Sequence, residues 1–559
     1  MIASLRALRA LVLLGGFYLM GVVLLAALLA ADWLLLSSVL VNRSPYLMLG
    51  VVFASVMLAV PVLRGMFAFL PAGRRSSGPE GLAVTPEAQP TLWAEVREAA
   101  RKACTAEPDA LLLTADVNAA VTERARLLGL LAGPRSLYLG VPLLTGLTAP
   151  ELRAVLAHEF GHFSNQDTRL AGITMRGRAA VLHTVDAFRA HDSRAHAVIG
   201  NLYVHYARFF LTATQSSARQ QELAADRAAA RHTGRDTTAS ALRRVPLLGA
   251  AHDHYIDAYA TLGVPAHALP SVGEFHGGFR HLLAARSPEA LTELAGSRGT
   301  PRPTPYDSHP PMSERLALIE ALPSDGATHD PAATPALSLL HDRHGVLAAL
   351  ESYTLPAAAA GMRRLEWPEL VMARSVVDAS GWADPLSTAV RRALRSAALP
   401  GRAGPSTSGS AEGTSGRPDT SDVDATDSRA CGIPGPDVED GGSDLPGLDD
   451  VLDVIDAGLL WMEVADRMPK PARASRLTGR SARNFIRPAL WDGLAGLVYL
   501  RLVEEKTAHP DVSWSGEAGL VLPEEWEKGM DSAIDAAVAD TPDTKPLRHL
   551  LAGGGRASE

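Results

Sequence analysis

The sequence predicts a mainly α protein with one small β-sheet, preceded by a two-helix transmembrane hairpin and followed by a helical C-terminal region. Three observations predict it. Two long uncharged apolar runs stand near the N-terminus, one stretch around residues 110–141 alternates like strands, and elsewhere apolar residues recur at helical spacing. With 559 residues the chain is too long for one core.

The first apolar run covers residues 10–31 and the second residues 44–63, each without a charge. A helix crossing the hydrocarbon core needs roughly 20 such residues, whereas the apolar core of a cleaved leader is about 7–15. Arg6 and Arg9 flank the first run and Asp32 interrupts it, while Arg64, Arg74 and Arg75 follow the second and Arg43 stands between them. The positive-inside bias then predicts a multi-pass protein of the cell membrane with residues 1–75 as the hairpin and everything after it cytoplasmic. Residues 197–215 come nearest to a further span, but His205 and Arg208 lie inside them.

After the hairpin, residues 91–104 have apolar positions at helical spacing, and 110–141 read as strands broken by a Gly/Pro turn. Thr148 is the expected N-cap of the next helix, with Glu151 completing a capping box. A long Ala-rich helix is expected over about 197–232, mixed helix and loop over 240–300, and a short helix from Glu314 ending at Pro323. Residues 76–325 form one expected domain and 334–400 a helical extension. Residues 401–446 are an expected disordered acidic linker: positions 401–445 hold nine Gly, seven Ser, nine acids and no aromatic residue, which cannot bury enough apolar area to offset chain ordering. Residues 447–552 are an expected small helical domain, holding Trp461, Trp491, Trp514 and Trp526.

Composition excludes several functions. The net charge of −8 comes mostly from that linker, so no basic surplus supports nucleic-acid binding. Cys104 and Cys431 are the only cysteines, too few for a disulfide scaffold or a cysteine zinc ribbon.

The chemistry sits in AVLAHEFGHFSNQD, with His158, Glu159 and His162. On a helix, residues four apart share a face, so both imidazoles can reach one ion, and the intervening Glu can take a proton from metal-bound water. Random placement of 18 His gives about 0.6 such pairs, and requiring the acid lowers this below about 0.06. A solvated surface helix is the plain alternative. The apolar Val155 and Leu156 and the capping box argue instead for partial burial, where unpaired His and Glu are costly. A further ligand is expected from residues 217–228, where Glu222 and Asp226 share a helix face, with His205 and His232 as competitors nearby. Gly161 costs about 1 kcal/mol inside a helix, and close approach of a strand or of the second ligand helix would account for it.

Together these residues resemble the HtpX/CAAX-prenyl-protease family of membrane-bound zinc metallopeptidases, which are gluzincins. His158-Glu159-x-x-His162, then Glu222-x-x-Ala225-Asp226, then His309-Pro310-Pro311 with Glu314-Arg315 stand in the family's order, and Asn118-Ala119 matches its substrate-binding edge strand. The resemblance covers about residues 1–322. It implies a zincin-like α+β domain and one Zn2+ per chain, held by His158, His162 and Glu222. It also implies Glu159 as general base, Asp226 orienting His158, His309 at the substrate carbonyl and Arg315 holding acidic groups near the metal. The implied partners are the lipid bilayer and polypeptide substrates, membrane or misfolded proteins, in membrane-protein quality control. Two features depart from the pattern: residues 168–196 carry Arg and His rather than further apolar segments, and the strand after Asn118-Ala119 lacks an aromatic residue. A membrane-anchored scaffold with a structural or vestigial zinc centre is the rival reading; a structural site needs ligands but no base, so Glu159 speaks against it.

Overall fold

A computed structural model describes residues 2–37, 44–67, 81–123, 133–163, 181, 194–297, 310–324, 330, 332–397, 445–471 and 477–554. It is mostly helical, with small sheets, as the sequence pattern predicts. Residues 401–444 of the expected linker, Cys431, Arg43, Arg74, Arg75 and His309 lie outside the described residues. The chain divides into two compact units, Met1–Trp367 with Ser513–Glu517, and Pro368–Val512 with Ala518–Glu559.

In the first unit, helix α1 (Ile2–Leu36) packs against α2 (Pro45–Phe67). Val12–Leu36 is long and apolar enough to cross a membrane. Its side chains face outward in a way water would penalise: Val12, Leu19, Leu29 and Leu34 are exposed, as are Leu47, Leu49 and Phe53 of α2. Asp32, the one acid in this region, accepts a hydrogen bond from Ser55 Oγ across the helix pair.

The small sheet has four strands: β1 (Leu82–Val84), β2 (Ala110–Thr114), β3 (Ala119–Glu123) and β4 (Arg135–Gly140), in the order β1-β2-β4-β3. β2 and β4 run parallel, and β1 and β3 are antiparallel edges. β3 pairs with β4 in the register Ala119 opposite Leu139. Gly140 is required at the end of β4, because a Cβ there would overlap the Asp116 carbonyl oxygen. Its N–H donates to Asn118 O at 2.7 Å, seating Asn118 at the head of the edge strand. Helix α3 (Pro90–Lys102) buries Leu92, Trp93 and Val96.

The short helix α4 (Val141–Gly146) leads into α5 (Ala149–Gly161), which buries Leu152, Leu156 and Phe160 at i, i+4 and i+8. Its N-terminus carries the expected capping box: Thr148 Oγ1 accepts from Glu151 N–H, and Thr148 N–H donates to Glu151 Oε2 at 2.9 Å. The buried Glu151 also accepts from Ser240 Oγ at 2.7 Å, tying α5 to a later helix, α7 (Arg235–Tyr255). Between them runs α6 (Arg194–Thr233), whose 40 residues extend about 60 Å. Its first half packs on α1 and α2. There Phe17 meets Tyr203 edge-on at 5.2 Å, and Tyr206 Oη donates to Leu13 O at 2.7 Å.

Gly161 lies where α5 and α6 come closest. A Cβ added there would stand 3.2 Å from Ala225 Cα and 3.4 Å from the Cβ atoms of Ala225 and Ala228. Of the two expected causes, the second helix is the one present. Helix α8 (Met312–Glu320) then packs on α6 and α7.

The unit boundary at Trp367 falls inside the expected 334–400 extension. Residues 334–336 run beside the start of α5, with Ala149 N–H donating to Thr334 O and Ala336 N–H to Leu147 O. Trp514, expected in the C-terminal domain, belongs to the first unit, where it stacks on Tyr259 at 4.8 Å and meets Trp367 edge-on at 5.0 Å. Sequence proximity to the other tryptophans could not reveal that aromatic partnership.

The second unit is built on α9 (Trp367–Ala397, of which Pro368 onward lies here), α10 (Leu448–Asp456), α11 (Gly479–Glu504), α12 (Glu524–Ala537) and α13 (Lys545–Gly554). Leu386, Val390, Leu490, Leu494, Val498, Trp526 and Ile534 lie in one buried core.

The crossing of α5 and α6 makes Gly161 sensitive to volume. Gly161→Ala should change stability by less than about 1 kcal/mol, because its helix-propensity gain offsets a tight contact. Gly161→Val should destabilise by about 2 kcal/mol through overpacking against the Ala225 backbone. Thermal unfolding of the detergent-solubilised protein measures both, and an unchanged Tm for the Val variant would mean that the helices do not meet there.

Candidate metal centre

His158 and His162 sit at the C-terminal end of α5, and Glu222 and Asp226 one turn apart on α6. The close approach at Gly161 brings these helix faces together. His158 Nε2 is 3.7 Å from Glu222 Oε2, and His162 Nε2 is 3.7 Å from Glu222 Oε1. One atom from each of the three residues lies within 4.8 Å of the others. Two ligand atoms each about 2.1 Å from a tetrahedral ion stand about 3.4 Å apart, so this donor set fits a single ion. Two imidazole nitrogens and a carboxylate are the donors that zinc takes in catalytic sites. Glu222 is almost fully buried.

Behind the donors, His158 Nδ1 lies 3.0 Å from Asp226 Oδ1, which leaves Nε2 directed at Glu222. Asp226 also receives two hydrogen bonds from Arg315 of α8, Nε to Oδ2 at 2.8 Å and Nη2 to Oδ1 at 2.6 Å. Both partners are buried. Burial alone would raise the Asp226 carboxyl; the hydrogen bonds from Arg315 and His158, with their charges, overcome it and hold the pKa at about 2. Burial likewise pulls the His158 imidazolium down, but the Asp226 hydrogen bond and the charges of Glu159 and Asp226 outweigh it, so its pKa is raised.

Glu159 and His158 line a cleft of about 170 Å³ that also includes Val117, Asn118 and Ala119. The edge strand singled out in the sequence therefore borders the same cleft as the candidate base and a candidate ligand. The competitors lie elsewhere: His205 is 2.7 Å from Asn201 O on its own helix, and His232 lines a separate cavity with Arg153 and Arg231. Sequence reasoning missed the opposite wall of the cleft, where α7 contributes Thr238, Ala241, Leu242 and Val245. Their i, i+3, i+4, i+7 spacing was a visible signal, but such a stripe reads equally well as ordinary core.

The Asp226 clamp has a pH signature in the metal-free protein. Its folded pKa lies below the unfolded value of about 3.9, so its contribution is complete above about pH 4 and is lost as the pH falls towards 2. Arg315→Met should cost about 3 kcal/mol, since it leaves a buried carboxylate without its strongest partner. Denaturant unfolding at several pH values checks both; equal stability of wild type and variant at pH 7 would contradict the clamp.

No curated protein and no solved structure matches the chain. Residues 87–322, which span α5, α6 and α8, match the model of peptidase family M48, whose members are zinc-dependent metallopeptidases. The likeness to peptidase family M48 thus covers the domain that holds the donor cluster.

Proposed function

We propose that the protein is a membrane-anchored zinc endopeptidase, with His158, His162 and Glu222 as ligands and Glu159 as general base. The observation that carries this is the convergence of the three donor side chains beside a cleft that Glu159 also lines. When bound, a zinc ion would supply Lewis acidity to the scissile carbonyl and to an attacking water. Glu159 would take the proton from that water and deliver it to the leaving amine. Asp226 holds the proton of His158 on Nδ1, so that Nε2 is the ligating atom, and Arg315 keeps Asp226 ionised in its buried position. The polypeptide would add as a further strand beside β3 at Ala119, an edge strand among the described residues, with backbone hydrogen bonds supplying affinity. His309 is proposed, from the family resemblance alone, to stabilise the developing charge on the carbonyl oxygen.

The membrane part of the proposal is a two-helix hairpin of α1 and α2 with both ends cytoplasmic. The exposed apolar faces of both helices support it, as do the arginines outside the two runs. Trp33 and Tyr46, both strongly exposed, stand at the two helix ends nearest the connection, where aromatic residues anchor to a membrane interface. Attack on membrane or misfolded proteins near the bilayer, as part of quality control, is proposed from the family resemblance alone.

Glu159→Gln should retain one zinc per chain and lose casein hydrolysis by at least about 100-fold. Wild-type turnover by that variant would remove Glu159 from the mechanism. Glu222→Ala should purify without stoichiometric zinc, whereas Asp226→Asn should bind zinc about 10–100-fold more weakly; metal analysis during chelator titration distinguishes them. A reporter fused after residue 80 should behave as cytoplasmic, and an external signal would reverse the proposed orientation.

A further inference from the structure

The second unit carries cations that its own fold does not use. Residues 467–491 hold seven Lys and Arg and no acid. Arg473 and Arg476 lie outside the described residues. Three of the others have carboxylate partners: Arg467 pairs with Glu463 at 2.6 Å, Lys470 with Asp466 at 3.2 Å, and Arg487 with Asp540. Arg480 and Arg483, both exposed, have none among the described residues. They stand in the first two turns of α11, whose first turn holds no acid and whose N-cap, Thr478, makes no side-chain capping hydrogen bond. A cation at a helix N-terminus opposes the macrodipole, so helix formation does not account for these arginines. Arg483 is nevertheless held in place. Its guanidinium carbon stands 5.5 Å from the centre of the Trp461 ring, and that indole donates from Nε1 to Ala539 O at 2.8 Å. Exposed apolar side chains accompany the arginines: Leu477 and Phe485 on the same chain segment, and Met462 next to Trp461.

We infer that this patch, Arg480 and Arg483 with Leu477, Phe485 and Met462, seats the second unit on an anionic lipid surface. The inference goes beyond the peptidase reading and rests only on its membrane part. Lipid phosphates and carboxylates would meet the two guanidinium groups and the N–H groups at the start of α11, which Thr478 does not cap. The apolar side chains would enter the boundary between headgroups and acyl chains. A soluble polyanion would satisfy the arginines but leave the three apolar side chains in water. The hairpin of α1 and α2 tethers the same chain to a bilayer and so raises the local concentration of the patch there. Two cations, each worth about 5-fold near an anionic surface, then suffice.

The test uses the full-length protein reconstituted into nanodiscs of phosphatidylcholine, alone or with about 30% phosphatidylserine. Amide hydrogen exchange of residues 477–487, read by mass spectrometry, should slow by at least about 5-fold in the anionic discs. The protection should vanish in about 0.5 M NaCl, which screens the attraction. Arg480→Glu should lose it while exchange of Glu524–Ala537, in the core of the same unit, stays at the wild-type rate. Arg480→Lys should keep it, because the charge and not the side-chain shape is read. Equal exchange of residues 477–487 in the two kinds of disc overturns the inference. So does equal protection in phosphatidylcholine discs by added glycerophosphoserine or a mixed-sequence oligonucleotide, which would make the patch a site for soluble anions. Faster exchange in phosphatidylcholine discs after deletion of residues 401–445 also overturns it, since that acidic segment would then be the occupant. Protein that does not enter the discs overturns the hairpin and this inference with it. Zinc content and casein cleavage, measured on the same samples, judge the peptidase reading separately.

Discussion

Three helices of the first unit meet at one buried carboxylate. Asp226 of α6 receives two hydrogen bonds from Arg315 of α8 and faces Nδ1 of His158 on α5, so a single acid relates all three. Burying such a group is tolerable only with its partners in place, since an isolated carboxylate out of water costs several kcal/mol. The interaction therefore constrains geometry as well as charge. It sets Asp226 Oδ1 3.0 Å from Nδ1 of His158, whose Nε2 lies 3.7 Å from Glu222, and it joins α8 to α6. The small residues at the crossing allow this, because a side chain larger than that of Ala at position 161 would press on the Ala225 backbone and push α5 away from α6.

Helix α6 connects two environments. Its first half contributes Tyr203, Ala207, Phe210 and Leu211 to the core shared with α1, and about 18 Å further along the same helix stands Glu222. No loop intervenes, so the carboxylate is referenced to the apolar helices by a rigid rod. Helix α5 is held at both ends: Glu151 bonds its N-terminus to Ser240 of α7, and Gly161 seats its C-terminus on α6. A donor cluster held on helices tied in this way is organised before any ion arrives, which is what tight and selective coordination requires.

The sheet serves the cleft rather than the core alone. Its order leaves β3 at an edge, and Gly140 admits the 116–118 loop closely enough to carry Asn118 and Ala119 to the cleft's rim. An unpaired edge is an aggregation hazard in most proteins. Among the described residues, β3 is an edge strand, and the residues at its start border the cleft that Glu159 lines.

Much of this was legible in the residues themselves. The apolar runs, the capping box at Thr148 and Glu151, the strands of 110–141 and the spacing of His158, Glu159 and His162 are local patterns, governed by helix and strand periods and by orphan backbone groups. Glu222 and Asp226 could be proposed because they stand one turn apart, yet spacing alone could not choose between them and their histidine neighbours. Tertiary structure decided which residues meet. It put Ala225 against Gly161, brought Arg315 to Asp226 across 89 positions of sequence, placed Trp514 against Tyr259, and set the α7 stripe as a cleft wall rather than closed core. The physical reason is that periodicity records which side of an element is apolar, whereas the partner that covers that side is chosen by long-range packing that one strand or helix does not encode.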